Sequence, residues 1–273
     1  MRAASRESLA SLRERLEGVT ARFSTADGLI GLGEDLYAVV GLLVAQPQVR
    51  RMLSDPTTPP EGRAELAARL FDGKIGASSL QLVRDAVALR WSSSFDLLDG
   101  LETTADYVLL GAAEQAGELD EVEDELFRFE RILDAESRLA TTLDNQAAAA
   151  KGRVTLARQL VGDKVRPITL LLLEQAVASR RKHSVTLAVD DLLQLAAARR
   201  ERSMARVIAA VALTAAQESR LAAVLSELYG RAIDARVAVD PSVRGGLVIR
   251  VGDEVIDGSI AARLAKARAA LAN

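Results

Sequence analysis

A gapless shift of 90 residues lays much of the first half of this 273-residue chain on the second. Few sequence features constrain a fold more than an internal duplication. Asp27–Leu43 carries Leu29, Leu32, Leu36, Val39 and Leu43, and the shifted segment carries Leu119, Val122, Leu126, Phe129 and Leu133. Both sets run 3, 4, 3, 4, which places five apolar side chains on one helix stripe. Glu34 and Asp35 fall on Asp124 and Glu125, which the spacing assigns to the polar side of each helix. Further on, Gly62 and Arg63 meet Gly152 and Arg153, Leu66 meets Leu156, Leu70 meets Leu160, and Lys74 meets Lys164. Ala86, Val87 and Ala88 then meet Ala176, Val177 and Ala178, with Arg90 on Arg180. Chance can align one stripe. It does not align stripe, loop length and these pairs without a gap.

Each copy reads as a long helix, a loop and two more helices. The first loop holds Pro56, Pro59 and Pro60, which exclude a helix interior. A single apolar stripe must be covered by neighbouring helices, so two copies imply a paired bundle rather than a solenoid. Ahead of them, Leu9, Leu12, Leu16 and Val19 recur at helical spacing, with Glu7, Glu14 and Glu17 among them. This start reads as a structured first helix, not a transit peptide.

After Ser203 the pattern changes. Residues 205–213 read as a strand ended by Thr214, and Thr214 with Gln217 makes a capping box that starts a helix at Ala215. Leu221, Val224, Leu225 and Leu228 give that helix an apolar face, and Gly230 suits its stop. Arg236–Val239 alternates like a strand, and Leu247, Ile249 and Val251 share one face of another. Gly252 and Asp253 suit a type II′ hairpin turn back through Glu254–Ile256. Ser259 is placed to cap a last helix carrying Ile260, Leu264 and Leu271. The expected fold class is mainly α: two tandem related helical bundles followed by a small α/β C-terminal domain. The expected boundaries are 1–101, 102–203 and 204–273.

Chemistry is scarce. Cysteine is absent and His183 is the single histidine, so thiolate catalysis and histidine metal clusters are excluded. No phosphate loop occurs, and Gly28, Gly31 and Gly33 do not form a dinucleotide fingerprint. Gly245 and Gly246 precede a strand rather than a helix, so they read as a backbone turn. The carboxylates of Glu118–Glu125 follow helix exposure and read as a solvated face rather than a metal site. Basic clusters at Arg180–His183 and Arg199–Arg202 suit helix C-termini, with a docking patch for an acidic partner as the alternative. His183 reads as a surface residue and Trp91 as core.

The 35 basic residues nearly balance the 38 acidic ones, for a net charge of −3. That balance gives no electrostatic reason for a nucleic-acid partner or an anionic membrane surface. No apolar run reaches the roughly 18 residues of a membrane span, the longest candidates being Ile168–Leu173 and Val207–Ala216. The expectation is a soluble intracellular protein without catalytic, cofactor or metal residues.

The stretch from Asp240 to Ser259, followed by Ala262, Arg263 and Leu264, resembles the signature of the delta subunit of F-type ATP synthase, the family of the oligomycin-sensitivity-conferring protein. The residues that carry the resemblance are Asp240, Gly245, Gly246, Gly252, Asp257, Gly258, Ser259 and Leu264. Val207, Leu213, Thr214 and Gln217 match that family's strand-to-helix entry, and Tyr107 to about Leu133 looks like its opening helices. Residues from about 102 to 273 thus resemble a complete member, and 1–101 is an extra first copy of the repeat, as in long actinobacterial-like forms. Arg244 departs from the pattern, since an apolar residue commonly precedes the glycine pair.

The resemblance implies a non-catalytic stator (peripheral-stalk) subunit that couples proton-driven rotation to ATP synthesis. It implies a helical domain holding alpha-subunit N-terminal segments and a C-terminal domain holding the C-terminus of the peripheral-stalk b subunit. It also implies a peripheral position at the cytoplasmic face of the bacterial cell membrane, without direct membrane insertion. Carried over by position, the alpha-subunit groove lies around Tyr107, Leu110, Ile168, Leu172 and Gln175. The alternative from another class is a helical regulatory adaptor unrelated to ATP synthase.

Overall fold

The computed structural model describes residues 2–179, 184–229, 233–240, 243, 245–251 and 254–260. The chain divides into two compact units, Met1–Leu195 and Ala196–Asn273.

The first unit is all helix. α1 (Ala3–Thr20) precedes α2 (Ala26–Ala45), α3 (Pro47–Ser54), α4 (Pro60–Phe71) and α5 (Ala77–Ala88). After α6 (Ser94–Ala116) come α7 (Leu119–Ala135), α8 (Ser137–Asp144), α9 (Ala150–Val161) and α10 (Pro167–Ala178), and α11 (Val185–Ser203) follows. Helices α3, α4 and α5 recur as α8, α9 and α10 with both ends displaced by the same 90 residues (137 − 47, 150 − 60, 167 − 77). The two stripes of the repeat are buried on α2 and α7. The short helices α3 and α8 were not separable by periodicity. Each is only 8 residues long and is set off from the long helix before it by a bend, at Gln46 and at Glu136.

α6 is the centre of this unit. Its side chains are buried on every face between Leu97 and Ala113, including Glu102 and Asp106. A helix covered all round belongs inside a bundle, and α6 packs against α1, α2, α3 and α5 from the first copy and α7 and α10 from the second. Ser93 caps its start by accepting from the Asp96 N–H at 3.1 Å. Its end is a Schellman motif, with Gly117 at φ 72°, Glu118 N–H donating to Ala113 O, and Gly117 N–H to Glu114 O. The boundary expected between 101 and 102 falls inside this helix. By position, α6 closes the first copy and opens the second: shifting α1 by 90 lands on 93–110, and α1 packs on α5 as α6 packs on α10.

By length and composition α2 passes as a membrane span, with a mean hydropathy of 1.7 in its most apolar window. Counting uninterrupted apolar residues missed it because Glu34 and Asp35 break the run. Its packing is that of a core helix. Leu29, Leu32, Leu36, Val39 and Leu43 are buried, and Gly33 sits so close to α6 that a Cβ would meet Leu109 at 2.8 Å. Trp91 is core as expected, with Nε1 donating to Ala86 O at 2.7 Å and the ring lying on Gly100.

The second unit is a four-stranded sheet in the order β2-β1-β3-β4. Strand β1 (Met204–Ala209) connects through α12 (Ala215–Tyr229) to the parallel β2 (Asp234–Val239). Strand β3 (Leu247–Val251) runs antiparallel to β1, and β4 (Glu254–Asp257) antiparallel to β3. The capping box forms as expected, with Thr214 N–H donating to Gln217 Oε1 at 2.9 Å and Gln217 N–H to Thr214 Oγ1 at 3.3 Å. β1 stops at Ala209, the last residue paired with both β2 and β3, while Val211 beyond it is 69% exposed. Ala205, Val207, Leu225, Ile233, Ile249 and Val251 form the core on the α12 side. Gly230, the Gly252-Asp253 turn and the last helix after Ile260 lie outside the described residues.

Candidate partner-binding site

α6 carries Tyr107 and Leu110, α10 carries Ile168, Leu172 and Gln175, and the two helices pack together. The fold therefore brings the five groove positions onto neighbouring helices. It also seals four of them: Tyr107, Leu110, Ile168 and Leu172 are buried, and Gln175 is half-buried. Tyr107 is covered from the first copy, with the Arg13 guanidinium of α1 4.7 Å from its ring centroid. What stays within reach of solvent is the outer side of α10, where half-buried Leu171 and Gln175 flank Glu174. Glu174 accepts a bidentate pair from Arg158 of α9, at 2.5 Å to Nε and 2.8 Å to Nη2.

Asp120, Glu121 and Asp124 are exposed, as a solvated face requires, but Glu118 and Glu125 of the same stretch, and Asp35 on the polar side of α2, fasten helices. Asp35 Oδ2 on α2 accepts from Gly76 N–H at 2.8 Å and Ser79 Oγ at 2.6 Å, capping α5 from outside. Ninety residues on, Glu125 Oε2 on α7 accepts from Arg166 N–H at 2.9 Å and Thr169 Oγ1 at 2.6 Å, capping α10. Glu118 holds the Arg166 side chain at 2.7 Å. A carboxylate at a helix N-terminus satisfies orphan N–H groups and complements the dipole. The paired acids at 34–35 and 124–125 carried this signal in the sequence. Their partners could not be read there because they lie 41 and 44 residues downstream.

A second acid–hydroxyl contact ties α2 to α6. The Tyr37 hydroxyl donates to Asp106, and burial, followed by the charges of Asp106 and Glu102, holds the Tyr37 pKa well above its usual value. The phenol therefore keeps its proton and remains a donor. Among the described residues no group of three or more His, Asp or Glu is arranged to hold a metal ion.

In the second unit the signature residues meet one another. Gly245 and Gly246 have φ of +71° and +86°, and a Cβ on Gly246 would lie 2.4 Å from Gly258 O. Only glycine allows that crossing. Gly258 N–H donates to Leu247 O at 2.9 Å, Ile260 N–H to Gly245 O at 3.0 Å, and Asp240 N–H to Ala209 O at 2.9 Å. Asp257 Oδ1 accepts from the N–H of buried Ser259 at 2.9 Å, closing a turn. These contacts hold the segment from Asp257 to Ile260 against the start of β3, which is a structural role. Gly252, Leu264, Arg244 and the basic cluster at 180–183 lie outside the described residues. Arg199 and Arg200 lie in the last two turns of α11.

A family profile described as "ATP synthase delta (OSCP) subunit" matches residues 107–271. The chain belongs to the ATP synthase delta (OSCP) subunit family. It is 43% identical over 267 residues to the ATP synthase subunit delta of Streptomyces griseus, covering 98% of each chain. It is 43% identical to the ATP synthase subunit delta of Acidothermus cellulolyticus over the whole of both chains. It is also 45% identical to the ATP synthase subunit b-delta of a Mycobacterium species, matching 99% of this chain and 61% of that one. These full-length matches include the extra first copy, so the long form is shared with actinobacterial relatives. The family places the chain in the peripheral stalk of the ATP synthase complex, at the membrane with that complex. An adaptor unrelated to ATP synthase falls with this match.

Proposed function

We propose that this delta-family chain is a non-catalytic stator link at the cytoplasmic face of the membrane. In this reading residues 102–203 hold alpha-subunit N-terminal segments and residues 204–273 hold the C-terminus of the b subunit. Residues 1–101 form the extra unit. The observation that carries the reading is the family match over 107–271, which spans the second helical copy and the α/β unit together. The fused b-delta relative supports a b-type partner. Torque from the rotor is resisted only if both grips are tight and the body between them is stiff. A bundle built around one helix that is buried on every face along most of its length suits that load.

Because Leu172 is fully buried, the alpha-subunit contact is better probed at Gln175. In titration calorimetry of the full chain with an alpha N-terminal peptide, Gln175→Arg is expected to weaken binding at least tenfold with folding unchanged. Equal affinity would move the alpha site away from α6 and α10. Adding the full chain to delta-depleted ATP synthase membranes should restore proton-driven ATP synthesis, and failure to restore it would overturn the stator reading.

A further inference from the structure

The strand register of the second unit lines up three arginines. Arg206 on β1 pairs with Arg236 on β2 and, on its other side, with Arg250 on β3. Residues on either side of each belong to the α12 core, namely Ala205 and Val207, Ala235 and Val237, Ile249 and Val251. Side chains alternate along a strand, so all three arginines stand on the opposite face, and all three are exposed. The row continues on β4 with Val255, 49% exposed. The next row is apolar: Ala238, Ile208 and Val248, ending at Asp257 on β4.

Like charges directly opposite each other across strands destabilise a sheet. The carboxylates on this face do little to offset the row. Asp234 pairs with Arg236 at 3.6 Å with both side chains at least 70% exposed. Asp257 lies one row away with one oxygen engaged by the Ser259 N–H. Among the described residues no carboxylate forms an ion pair with Arg206 or Arg250. Three guanidinium groups in a line beside an apolar strip complement an acidic surface that carries apolar groups beside its charges.

We infer that this face docks an acidic amphipathic helix lying across the strands. Three adjacent strands at about 4.8 Å spacing set the outer arginines about 10 Å apart. Helix positions i, i+3 and i+7 span about 10 Å at about 1.5 Å per residue. Three glutamates on one helix face therefore meet Arg236, Arg206 and Arg250 in turn, while apolar residues beside them cover Ile208, Ala238, Val248 and Val255. The inference deepens the stator reading, on which it rests for the identity of the donor, the stalk b chain. The acidic-helix chemistry rests on the register alone.

The test uses the full chain and a synthetic amphipathic helical peptide with Glu at i, i+3 and i+7 and Leu on the flanking positions. Binding is expected to fall steeply with salt. It is expected to weaken more than tenfold when the three Glu are replaced by Gln, or when the protein carries R206Q, R236Q and R250Q together. That triple variant should melt no lower than the parent, because it relieves repulsion; a purely structural row would lower its melting temperature. Equal binding of the Glu and Gln peptides, or of parent and triple variant, overturns the inference. Purified b subunit is titrated in parallel. If b binds the parent and the triple variant equally, the stalk grip stands and the arginine row is not part of it. If b binds neither form, the stator reading fails, while the peptide result still decides the chemistry of the face.

Discussion

The two helical copies use the same fastenings at the same spacing, yet they are not equally finished. Arg63 and Arg153, 90 residues apart, are 4% and 3% exposed. Arg63 donates to five backbone carbonyls, those of Asp55, Thr58, Val87, Ala88 and Leu89, which ties the loop before α4 to the end of α5. Arg153 donates to Leu143 O at 2.8 Å, and its Nε and Nη2 have no partner among the described residues. Asp55 turns its loop by accepting from Thr57 N–H at 2.9 Å, and Asn145 does the same with Ala147 at 3.1 Å. Between α4 and α5 an open groove of about 340 Å³ has Ala64, Ala68 and Ala88 among its lining residues, with Arg84 on one wall. In the second copy the positions of Ala68 and Arg84 are Arg158 and Glu174, whose ion pair bridges α9 and α10. The capping carboxylates and the turns before α4 and α9 are kept in both copies, while the bonds of the buried arginine and the side chains between the paired helices differ.

The comparison can be broken most forcefully at its core. Leu82 and Leu172 occupy equivalent positions and are both fully buried. A carboxylate there is left without a partner, so Leu82→Asp and Leu172→Asp should each cost about 4 kcal/mol or more, read as lost helical signal in urea denaturation. Tolerance of either one would mean that the copies do not share a core. The buried arginines should separate them. Arg63→Met strands five carbonyls and is expected to cost about 3 kcal/mol, whereas Arg153→Met should cost less than half of that. Equal losses would show that Arg153 finds the missing partners in solution. The capping carboxylates should bring the copies back together. Asp35→Ala and Glu125→Ala are each expected to cost about 1–2 kcal/mol, with losses that add in the double variant, checked by thermal melts.

Much of this molecule was legible in the chain. The repeat displayed its own period, and the helices that carry it appear with that period intact, because a 3–4 apolar stripe has no stable use except one buried face of a helix. The capping box at Thr214 and Gln217 was equally local, since both partners lie within one turn. The signature glycines could be assigned to a turn, but the reason for Gly246 needed the fold: its missing Cβ leaves room for Gly258 O, 12 residues later. The groove residues illustrate the limit. Carry-over by position from the family placed Tyr107, Leu110, Ile168 and Leu172 on two helices that pack together, yet exposure depends on what else packs there, and α1 lays Arg13 over Tyr107.

The sequence by itself determined the duplication, the helical class, the α/β tail and, through its C-terminal motif, the family. All of these rest on local periodicity or on contiguous residues, and so survive without coordinates. The tertiary structure alone decided that one helix serves both copies, since sharing α6 depends on which faces its neighbours cover. It also decided that acids on a polar face cap helices 41 residues away. And it aligned Arg206, Arg236 and Arg250, which are scattered along the chain, into one charged row. Strand register is a long-range choice made by packing the opposite face, and no local pattern records it.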